Sequence, residues 1–297
     1  MCDGLPVAIN FTGPCAPPGV SLKRLNTSGT DMQQLNQDPS QYSSLGYCVF
    51  RKVLEADAVH AVQQDLGQVL QAMPAKMMVY KDGEHVEADG RPEFLVEPHA
   101  KAGGEPWLEL CRHPRVLDAV EAILGPDLIL IMSHLIVKRP TDGLPVAWHQ
   151  DNTYWHSVQG TDVCTVWLAI DDADVDNGCM NVIPCTQANH PDLEKISTGG
   201  EDLLGTTVAV SELQQGQAVP IELRAGDLSI HDSYIIHGSE SNRSDRRRAG
   251  YTMRYANADT VAVDIDEHWV DVFRVRGNPH PAERYIDLRP GQPLPPL

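Results

Sequence analysis

Residues 128–137 read LILIMSHLIV, the most apolar run of the chain, and the sequence pattern changes at this point. The run is too short for a membrane-spanning helix, which needs roughly 20 apolar residues, and Ser133 and His134 interrupt it. Its length and its apolar, partly β-branched composition are typical of a buried strand. We therefore take it as the first strand of a β-rich core.

Short β-rich runs follow this strand, separated by turn sequences such as Asp176-Asn177-Gly178 and Ala225-Gly226-Asp227. Many short strands with Gly, Pro and Asn between them predict a sandwich or a jelly roll. The expected strands are Val163–Ile170, Met180–Ile183, Gln217–Leu223, Leu228–Ile230, Tyr234–His237 and Gly250–Tyr255. The predicted fold is mainly β, a double-stranded β-helix (jelly roll, cupin-like) core over about 128–256 with supporting N-terminal helices.

Upstream of the core the apolar residues recur at helical spacing. Residues 56–73 read ADAVHAVQQDLGQVLQAM, and residues 114–124, PRVLDAVEAIL, repeat the pattern before the helix-ending pair Gly125-Pro126. The helices precede the strands instead of alternating with them, which disfavours a parallel α/β sheet.

The remaining segments set the expected domain limits. Residues 1–44 are rich in Pro, Gly, Ser and Asn and are predicted to form a poorly structured N-terminal arm. Residues 80–105 are polar and glycine-rich, which predicts a loop, and the Pro-rich tail beyond Arg276 is expected on the surface. Residues 45–297 are then expected to form a single domain.

Net charge, cysteine spacing and the N-terminal sequence limit the binding partners and the cellular location that we expect. The 297 residues carry a net charge of −18, which argues against nucleic acid or an anionic membrane and favours a small-molecule substrate. The seven cysteines are scattered without a C-x-x-C pair, so reduced thiols are expected. The N-terminus, MCDGLPVAIN, lacks the features of a secretory signal, which predicts a cytoplasmic location. The oligomeric state cannot be inferred.

The segment Trp148-His149-Gln150-Asp151 carries the first chemical signal. Alternate side chains of a strand share a face, so His149 and Asp151 are expected to point together. One imidazole and one carboxylate, completed by a second histidine from another strand, form the facial triad of non-haem iron(II) oxygenases. A second His-x-Asp, His190-Pro191-Asp192, lies in a polar stretch and is interpreted as a surface loop.

The third ligand is predicted at His237, 86 positions after Asp151 (237 − 151). His231 is a rival for the third ligand, since it lies six residues earlier, at the same strand parity. His237 is favoured because Gly238-Ser239 and a basic turn follow it.

Arg248 follows His237 by eleven positions, across a turn, which predicts that the two lie on neighbouring antiparallel strands. Its guanidinium can then pair bidentately with the far carboxylate of a ligand that chelates the metal, and Ser239 can add a hydroxyl donor. Arg246 and Arg247 are the alternatives for this role, and Lys138 precedes the metal motif on a strand that can border the site.

Several of these blocks occur in the same order in a known family. From about Gly46 to Tyr255 the chain resembles the phytanoyl-CoA dioxygenase family, which includes ectoine hydroxylase and several non-haem halogenases. The blocks that carry the resemblance are Gly46-Tyr47-Cys48-Val49-Phe50, Trp148-His149-Gln150-Asp151, Trp167, Asn177 to Pro184, Gly226-Asp227, His237-Gly238-Ser239, Asn242, Ser244 and Arg248. The chain departs from the family at Cys185 and Gln187, where Gly and His are usual.

The resemblance implies a set of cofactors and site residues. Iron(II) would be held by His149, Asp151 and His237, and 2-oxoglutarate would be gripped by Arg248 and Ser239. Trp167 looks like the family's aromatic residue that packs on the co-substrate, although an ordinary core position is the alternative. The halogenases replace the metal-binding aspartate by a small residue, so the presence of Asp151 implies oxidation without halogenation.

The expected function is an iron(II)- and 2-oxoglutarate-dependent dioxygenase, which uses O2 and hydroxylates an unactivated C–H bond with release of succinate and CO2. Tyr154, Trp155 and His134 are the candidate substrate contacts, with packing roles as the alternative. As substrate, a small polar metabolite, zwitterionic or cationic, is preferred over a polyanionic coenzyme A thioester because the chain is acidic. A secondary metabolite is the other substrate class considered. The alternatives are a jelly-roll metal protein with redox-neutral chemistry and a non-catalytic binding protein.

Overall fold

The computed structural model describes residues 39–72, 76–81, 84–89, 94–96, 105–200, 202–278 and 282–295. These residues belong to one compact unit, Asn36–Leu297. The helices are α1 Ser40–Leu45, α2 Ala56–Ala72, α3 Glu105–Cys111, α4 Pro114–Leu124 and α5 Glu212–Gln215, with 3-10 turns at Asp151–Tyr154 and Ala282–Arg284. The strands are β1 Tyr47–Phe50, β2 Lys76–Lys81, β3 Glu84–Asp89, β4 Phe94–Val96, β5 Leu128–Lys138, β6 Val146–His149, β7 Val158–Gln159, β8 Val163–Ala169, β9 Met180–Ile183, β10 Ile196–Ser197, β11 Thr206–Thr207, β12 Val219–Ile221, β13 Leu228–Asp232, β14 Ile236–Ser239, β15 Arg248–Asn257, β16 Ala262–Val263, β17 Phe273–Arg276 and β18 Ile286–Asp287.

Two antiparallel sheets form the core. The major sheet has the order β1-β13-β8-β15-β5-β17-β18, with β4 also paired to β5, and its last pair, β17 with β18, is parallel. The minor sheet has the order β12-β9-β14-β6. Strands that follow one another in sequence, such as β13, β14 and β15, lie alternately in the two sheets. This arrangement confirms the predicted mainly β jelly-roll fold.

Alternation along β15 explains how the major sheet separates two environments. Ala249, Tyr251 and Met253 join the apolar cluster that α2, α3 and α4 complete, for example through Leu66 and Trp107. The intervening residues of β15 point to the opposite side of the sheet, because successive side chains of a strand alternate. The helices therefore cover one face and leave the other face toward the minor sheet.

An apolar cluster joins the inner faces of the two sheets. It contains Trp167 and Ala169 of β8 from the major sheet, with Met180 and Val182 of β9 and Ile221 of β12 from the minor sheet. Burying side chains of this size typically contributes about 1.5–3 kcal/mol each. This cluster fixes the distance between the sheets beside the polar residues described below.

The structure differs from the sequence predictions in two segments. The tail beyond Arg276 was expected on the surface, but it adds β18 to the major sheet and buries Leu288 in the core. Residues 80–105 were predicted to be a loop, but β2 and β3 form an antiparallel pair and β4 adds to β5. The polar composition concealed the pattern, although Asp82-Gly83 between two β-rich runs is a strong hairpin signal. The predicted N-terminal arm, 1–44, lies outside the described residues as far as residue 38, and α1 begins at Ser40.

Two further expectations concern cysteines and membranes. The five cysteines in the described ranges, Cys48, Cys111, Cys164, Cys179 and Cys185, form no disulfide. No helix in the same ranges combines the length and the hydropathy that crossing a bilayer requires.

Candidate metal centre

The first two candidate ligands lie where a strand of the minor sheet ends. Strand β6 stops at His149, and Asp151 begins the short 3-10 turn. Gln150 between them keeps an extended backbone, with φ −115° and ψ 136°, and its buried amide donates to the Tyr234 carbonyl at 2.6 Å. Because the chain remains extended through Gln150, the side chains of His149 and Asp151 share a side, as the sequence predicted.

His237 meets this pair from the neighbouring strand. It lies opposite His149 in the β14–β6 ladder, and the two ring centroids are 4.0 Å apart. One ligand atom from each of His149, Asp151 and His237 falls within 4.8 Å of the others, and all three side chains are buried. The structure therefore brings together the three residues that the sequence singled out, in an arrangement that could hold a metal ion.

Backbone carbonyls orient both imidazoles of the triad. His149 Nδ1 lies 2.9 Å from the Ala147 carbonyl, and His237 Nδ1 lies 3.1 Å from the Ile235 carbonyl. A carbonyl oxygen can only accept, so each Nδ1 carries the proton and each Nε2 keeps its lone pair for a metal. The tautomers are thus those of metal-binding histidines.

The two oxygens of Asp151 have different neighbours. Oδ1 lies 3.7 Å from His149 Nε2 and 3.9 Å from His237 Nε2, whereas Oδ2 accepts a 2.5 Å hydrogen bond from Thr165. His231 Nε2 stands 3.6 Å from Oδ2, and the His231 ring centroid lies 4.4 Å from that of His237. Oδ1 is therefore the oxygen nearer to His149 and His237, whereas His231 and Thr165 meet Oδ2.

This geometry corrects one expectation about the rival histidine. His231 belongs to β13 of the major sheet and His237 to β14 of the minor sheet, so the two do not share a strand. The turn between them carries the chain from one sheet to the other. His231 faces Asp151 because it pairs with Thr165 in the β13–β8 ladder, a long-range register that local sequence does not reveal.

Electrostatics keep Asp151 and His237 in metal-binding protonation states. Burial alone raises the pKa of Asp151, but the charge of Arg254 and the close imidazoles hold it well below its usual range. Burial, reinforced by the neighbouring imidazoles, holds the pKa of His237 well below its ordinary value. A carboxylate and neutral imidazoles are the forms that ligate a metal.

Arg254 is a functional candidate that the sequence analysis missed. Its Nη2 lies 3.6 Å from Asp151 Oδ1, its Nη1 donates to Thr252 Oγ1 at 2.6 Å, and a short hydrogen bond joins Nη1 to His134 Nδ1. Arg254 stands six positions after Arg248 on the same strand, so the two-residue period places both on one face. That period was the signal available in the sequence.

Arg248 is buried between the sheets, and none of the described acidic residues forms an ion pair with it. Its guanidinium carbon lies 4.8 Å from the centre of the Trp167 ring, and within the described ranges its Nε and Nη1 have no hydrogen-bond partner. Burial lowers the pKa of Arg248 to about 10. Gly250, two residues along β15 and on the same face as Arg248, makes room for Trp167, because a Cβ at this glycine would collide with the indole ring.

The two rival arginines are engaged elsewhere. Arg246 pairs with Asp174 at 2.8 Å, and Arg247 pairs with Asp171 through Nε at 2.7 Å and Nη2 at 2.9 Å. The expectation that His237 and the arginine lie on neighbouring strands was wrong, since β14 and β15 belong to opposite sheets. The turn between β14 and β15 passes from the minor sheet to the major sheet. His237 and Arg248 therefore lie on facing sheets and can both point into the space between them.

Lys138 lies deeper in the site than the sequence suggested. It stands opposite Arg248 in the β15–β5 ladder, and its Nζ donates to Ser239 Oγ at 2.7 Å and to the Glu240 carbonyl. Burial, with the charge of Arg248, lowers the pKa of Lys138 to about 6. The candidate co-substrate residues Arg248, Ser239 and Trp167 are thus gathered around a second buried basic group.

The candidate substrate contacts are placed in different surroundings. The Tyr154 ring lies 6.1 Å from the His149 ring, and Lys195 covers its face at 4.5 Å, so the chain itself supplies the cation. Trp155 is buried in an apolar cluster with Ile129 and Val163, the packing alternative. His134 lies beside Arg254, as described above.

The fold and the site together define a class: a jelly-roll protein with a two-histidine, one-carboxylate metal centre and a buried arginine beside it. The donor set fits iron(II), since two imidazoles and one carboxylate leave coordination positions for further ligands. The model of the family described as phytanoyl-CoA dioxygenase (PhyH) matches residues 42–250. The chain belongs to the phytanoyl-CoA dioxygenase family.

Individual relatives are distant. The chain is 24% identical over 270 residues to phytanoyl-CoA dioxygenase domain-containing protein 1 of Bos taurus, a match that covers 78% of this chain and 90% of the relative. Among solved structures it is similar to the non-haem alpha-ketoglutarate-dependent epimerase SnoN from nogalamycin biosynthesis, with a TM-score of 0.61, 21% identity and coverage of 88% and 100%. It is also similar to EctD from S. alaskensis, solved with 2-oxoglutarate and 5-hydroxyectoine, with a TM-score of 0.57, 20% identity and coverage of 75% and 76%.

Proposed function

We propose that this chain is an iron(II)- and 2-oxoglutarate-dependent dioxygenase that hydroxylates an unactivated C–H bond of a small polar or secondary metabolite, using O2 and releasing succinate and CO2. The observation that carries the proposal is the combination of a His149, Asp151 and His237 triad with a buried arginine, Arg248, whose Nε and Nη1 have no hydrogen-bond partner among the described residues. Membership of the phytanoyl-CoA dioxygenase family supports the same reading.

The triad residues would hold iron(II), which together with 2-oxoglutarate and O2 supplies the oxidising power for the C–H bond. The protein's own contribution is orientation. The Ala147 and Ile235 carbonyls hold the two imidazoles, and Thr165 holds Asp151 Oδ2 so that Oδ1 faces the metal position. Such supporting contacts typically change metal affinity by about 10- to 100-fold.

Arg248 would bind the C5 carboxylate of 2-oxoglutarate. A buried guanidinium without a counter-ion is costly, and a planar carboxylate satisfies two of its N–H groups at once. Ser239 and Lys138 stand beside it, and Trp167 packs against its face and excludes water. The same buried arginine disfavours a redox-neutral metal protein or a purely structural scaffold, because neither needs an uncompensated cation at this place.

The second candidate function is a reaction at the same metal centre that ends in a product other than an alcohol. SnoN, to which the chain is similar, is named an alpha-ketoglutarate-dependent epimerase. Hydrogen abstraction can therefore be followed by steps other than hydroxyl transfer on this scaffold. The net charge of −18 supports a small-molecule partner, and the cytoplasmic location stays a prediction from the sequence.

The test is made with the purified protein. Anaerobic iron(II) with 2-oxoglutarate should give a visible charge-transfer band, and aerobic turnover with ascorbate should give succinate. His149→Ala and Asp151→Ala should abolish both signals, whereas the exposed control His60→Ala should retain them. Absence of the band in the unmodified protein, or succinate formation that survives Asp151→Ala, would remove the proposal.

A further inference from the structure

Arg254 differs from the other arginines of the site in what surrounds it. It is buried, and within the described ranges its Nε has no hydrogen-bond partner. Asp151 is the acid at ion-pair distance, and the 3.6 Å between Nη2 and Oδ1 is longer than a hydrogen bond. Nη1 is engaged by Thr252 and His134.

The position of Arg254 is not that of a structural counter-ion for Asp151. The supporting contacts of this carboxylate, from Thr165 and His231, are made at Oδ2. Arg254 approaches Oδ1, the oxygen that lies toward His149 and His237. The guanidinium therefore stands on the side of the carboxylate where the metal and its remaining ligands would be.

The unused edge of this guanidinium has the geometry of a carboxylate site. Arginine offers Nε and Nη2 as a parallel pair of donors, and Arg247 uses that pair to grip both oxygens of Asp171. In Arg254 the same Nε is unpartnered among the described residues, and the same Nη2 stands 3.6 Å from Asp151 Oδ1. A planar anion could take both.

Charge balance points the same way. Under the proposed function, an iron(II) ion and a 2-oxoglutarate dianion cancel, and Asp151 offsets one of the two buried arginines, Arg248 and Arg254. One positive charge is then left in a water-poor interior with Lys138 neutral, and two are left with Lys138 charged. An uncompensated buried charge is strongly unfavourable, and an anionic substrate reduces it.

We propose that Arg254, with His134 beside it, binds a carboxylate group of the primary substrate. This inference rests on the proposed function and names its substrate class as a carboxylic acid. It replaces the expectation of a cationic substrate held by Tyr154, whose ring face is covered by Lys195.

Matched acid and amide probes test the inference. The protein is loaded anaerobically with iron(II) and saturating 2-oxoglutarate, so that Arg248 is occupied, and titrated calorimetrically with hexanoate, hexanamide, phenylacetate and phenylacetamide. The acids should bind about 10- to 100-fold more tightly than their amides, the range expected for a charge-assisted bidentate contact. Arg254→Met should lose this preference and Arg254→Lys should keep part of it. Arg274→Met, which removes an arginine paired with Asp287 at the sheet edge, should behave as the unmodified protein.

Each other result overturns the inference. Equal binding of acids and amides, or an acid preference that persists in Arg254→Met, excludes a carboxylate site at this residue. If Arg254→Met weakens iron and 2-oxoglutarate binding but leaves the acid preference unchanged, Arg254 is a positioning residue for Asp151. Tighter binding of methyl phosphate than of the acids would give a different substrate class. The charge-transfer band of the unmodified protein reports separately on the proposed function, so the two failures are distinguishable.

Discussion

Lys138→Met replaces a buried ammonium group by an apolar side chain of similar length. Lys138 is 1% exposed, and burial with the neighbouring Arg248 lowers its pKa to about 6 from an ordinary 10.5. In the ligand-free protein at pH 7.5 the residue is therefore mostly neutral. Folding must then remove a proton that the unfolded chain holds firmly, and the variant avoids this step.

The magnitude follows from the pKa difference. At pH 7.5, neutralising a lysine of pKa 10.5 costs about 4 kcal/mol, since each pH unit corresponds to 1.36 kcal/mol. Methionine also loses the hydrogen bonds to Ser239 Oγ and the Glu240 carbonyl, which together contribute about 2 kcal/mol. We therefore expect the ligand-free variant to be more stable than the unmodified protein by about 2 kcal/mol at pH 7.5.

The stability advantage of Lys138→Met should change with pH in a defined direction. Between pH 6 and 10.5 the unfolded state binds more protons at this residue, so the unmodified protein gains stability as the pH rises through this window. Lys138→Met lacks this contribution. Its advantage should be largest at pH 6 and smaller at pH 9 by about 3–4 kcal/mol.

Urea unfolding of the metal-free proteins at pH 6, 7.5 and 9 measures these differences, with the exposed Lys52→Met as the control. Binding of 2-oxoglutarate should reverse the ranking, because its carboxylate favours the charged lysine. Anaerobic calorimetry in buffers of different ionisation enthalpy should show uptake of about one proton by the unmodified protein, and affinity about 10-fold weaker in Lys138→Met. Identical pH profiles and no proton uptake would refute the reasoning.

Three further changes test the supports of the site. Thr165→Val removes the hydrogen bond to Asp151 Oδ2 and should weaken iron(II) binding by about 10-fold, measured by anaerobic titration, and an unchanged affinity would mean that the carboxylate needs no support. Gly250→Ala places a Cβ against Trp167 and should destabilise the fold by about 1–3 kcal/mol and raise the KM for 2-oxoglutarate, whereas Gly67→Ala in α2, with nothing near its Cβ position, should stabilise it slightly. His231→Phe should retain the charge-transfer band, because His231 Nε2 meets Asp151 at Oδ2 and not at Oδ1, and loss of the band would make it a ligand.

The sequence anticipated the parts of the site that depend on local geometry. The extended backbone through Gln150 is enough to place His149 and Asp151 on one side. The order of blocks along the chain then identified the family. Each of these conclusions needs only the period of a strand and the spacing of residues in sequence.

Residues that act across strands could not be assigned in this way. Arg246, Arg247 and Arg248 are adjacent and alike in sequence, and what separates them is that Asp174 and Asp171, more than 70 positions earlier, meet the first two. Thr165 reaches Asp151 only because β8 lies in the opposite sheet. The hairpin of β2 and β3 was missed because its polar composition resembles that of a loop.

By itself the sequence determined the mainly β jelly-roll class, the family and the three residues of the triad. Only the tertiary structure decided that Arg248 has unpartnered donors among the described residues, that His231 meets Asp151 at Oδ2, and that Lys138 and Arg254 add buried basic groups. The physical reason is that a strand's period tells which side a residue faces, whereas the residue it meets depends on the register between strands far apart in the chain.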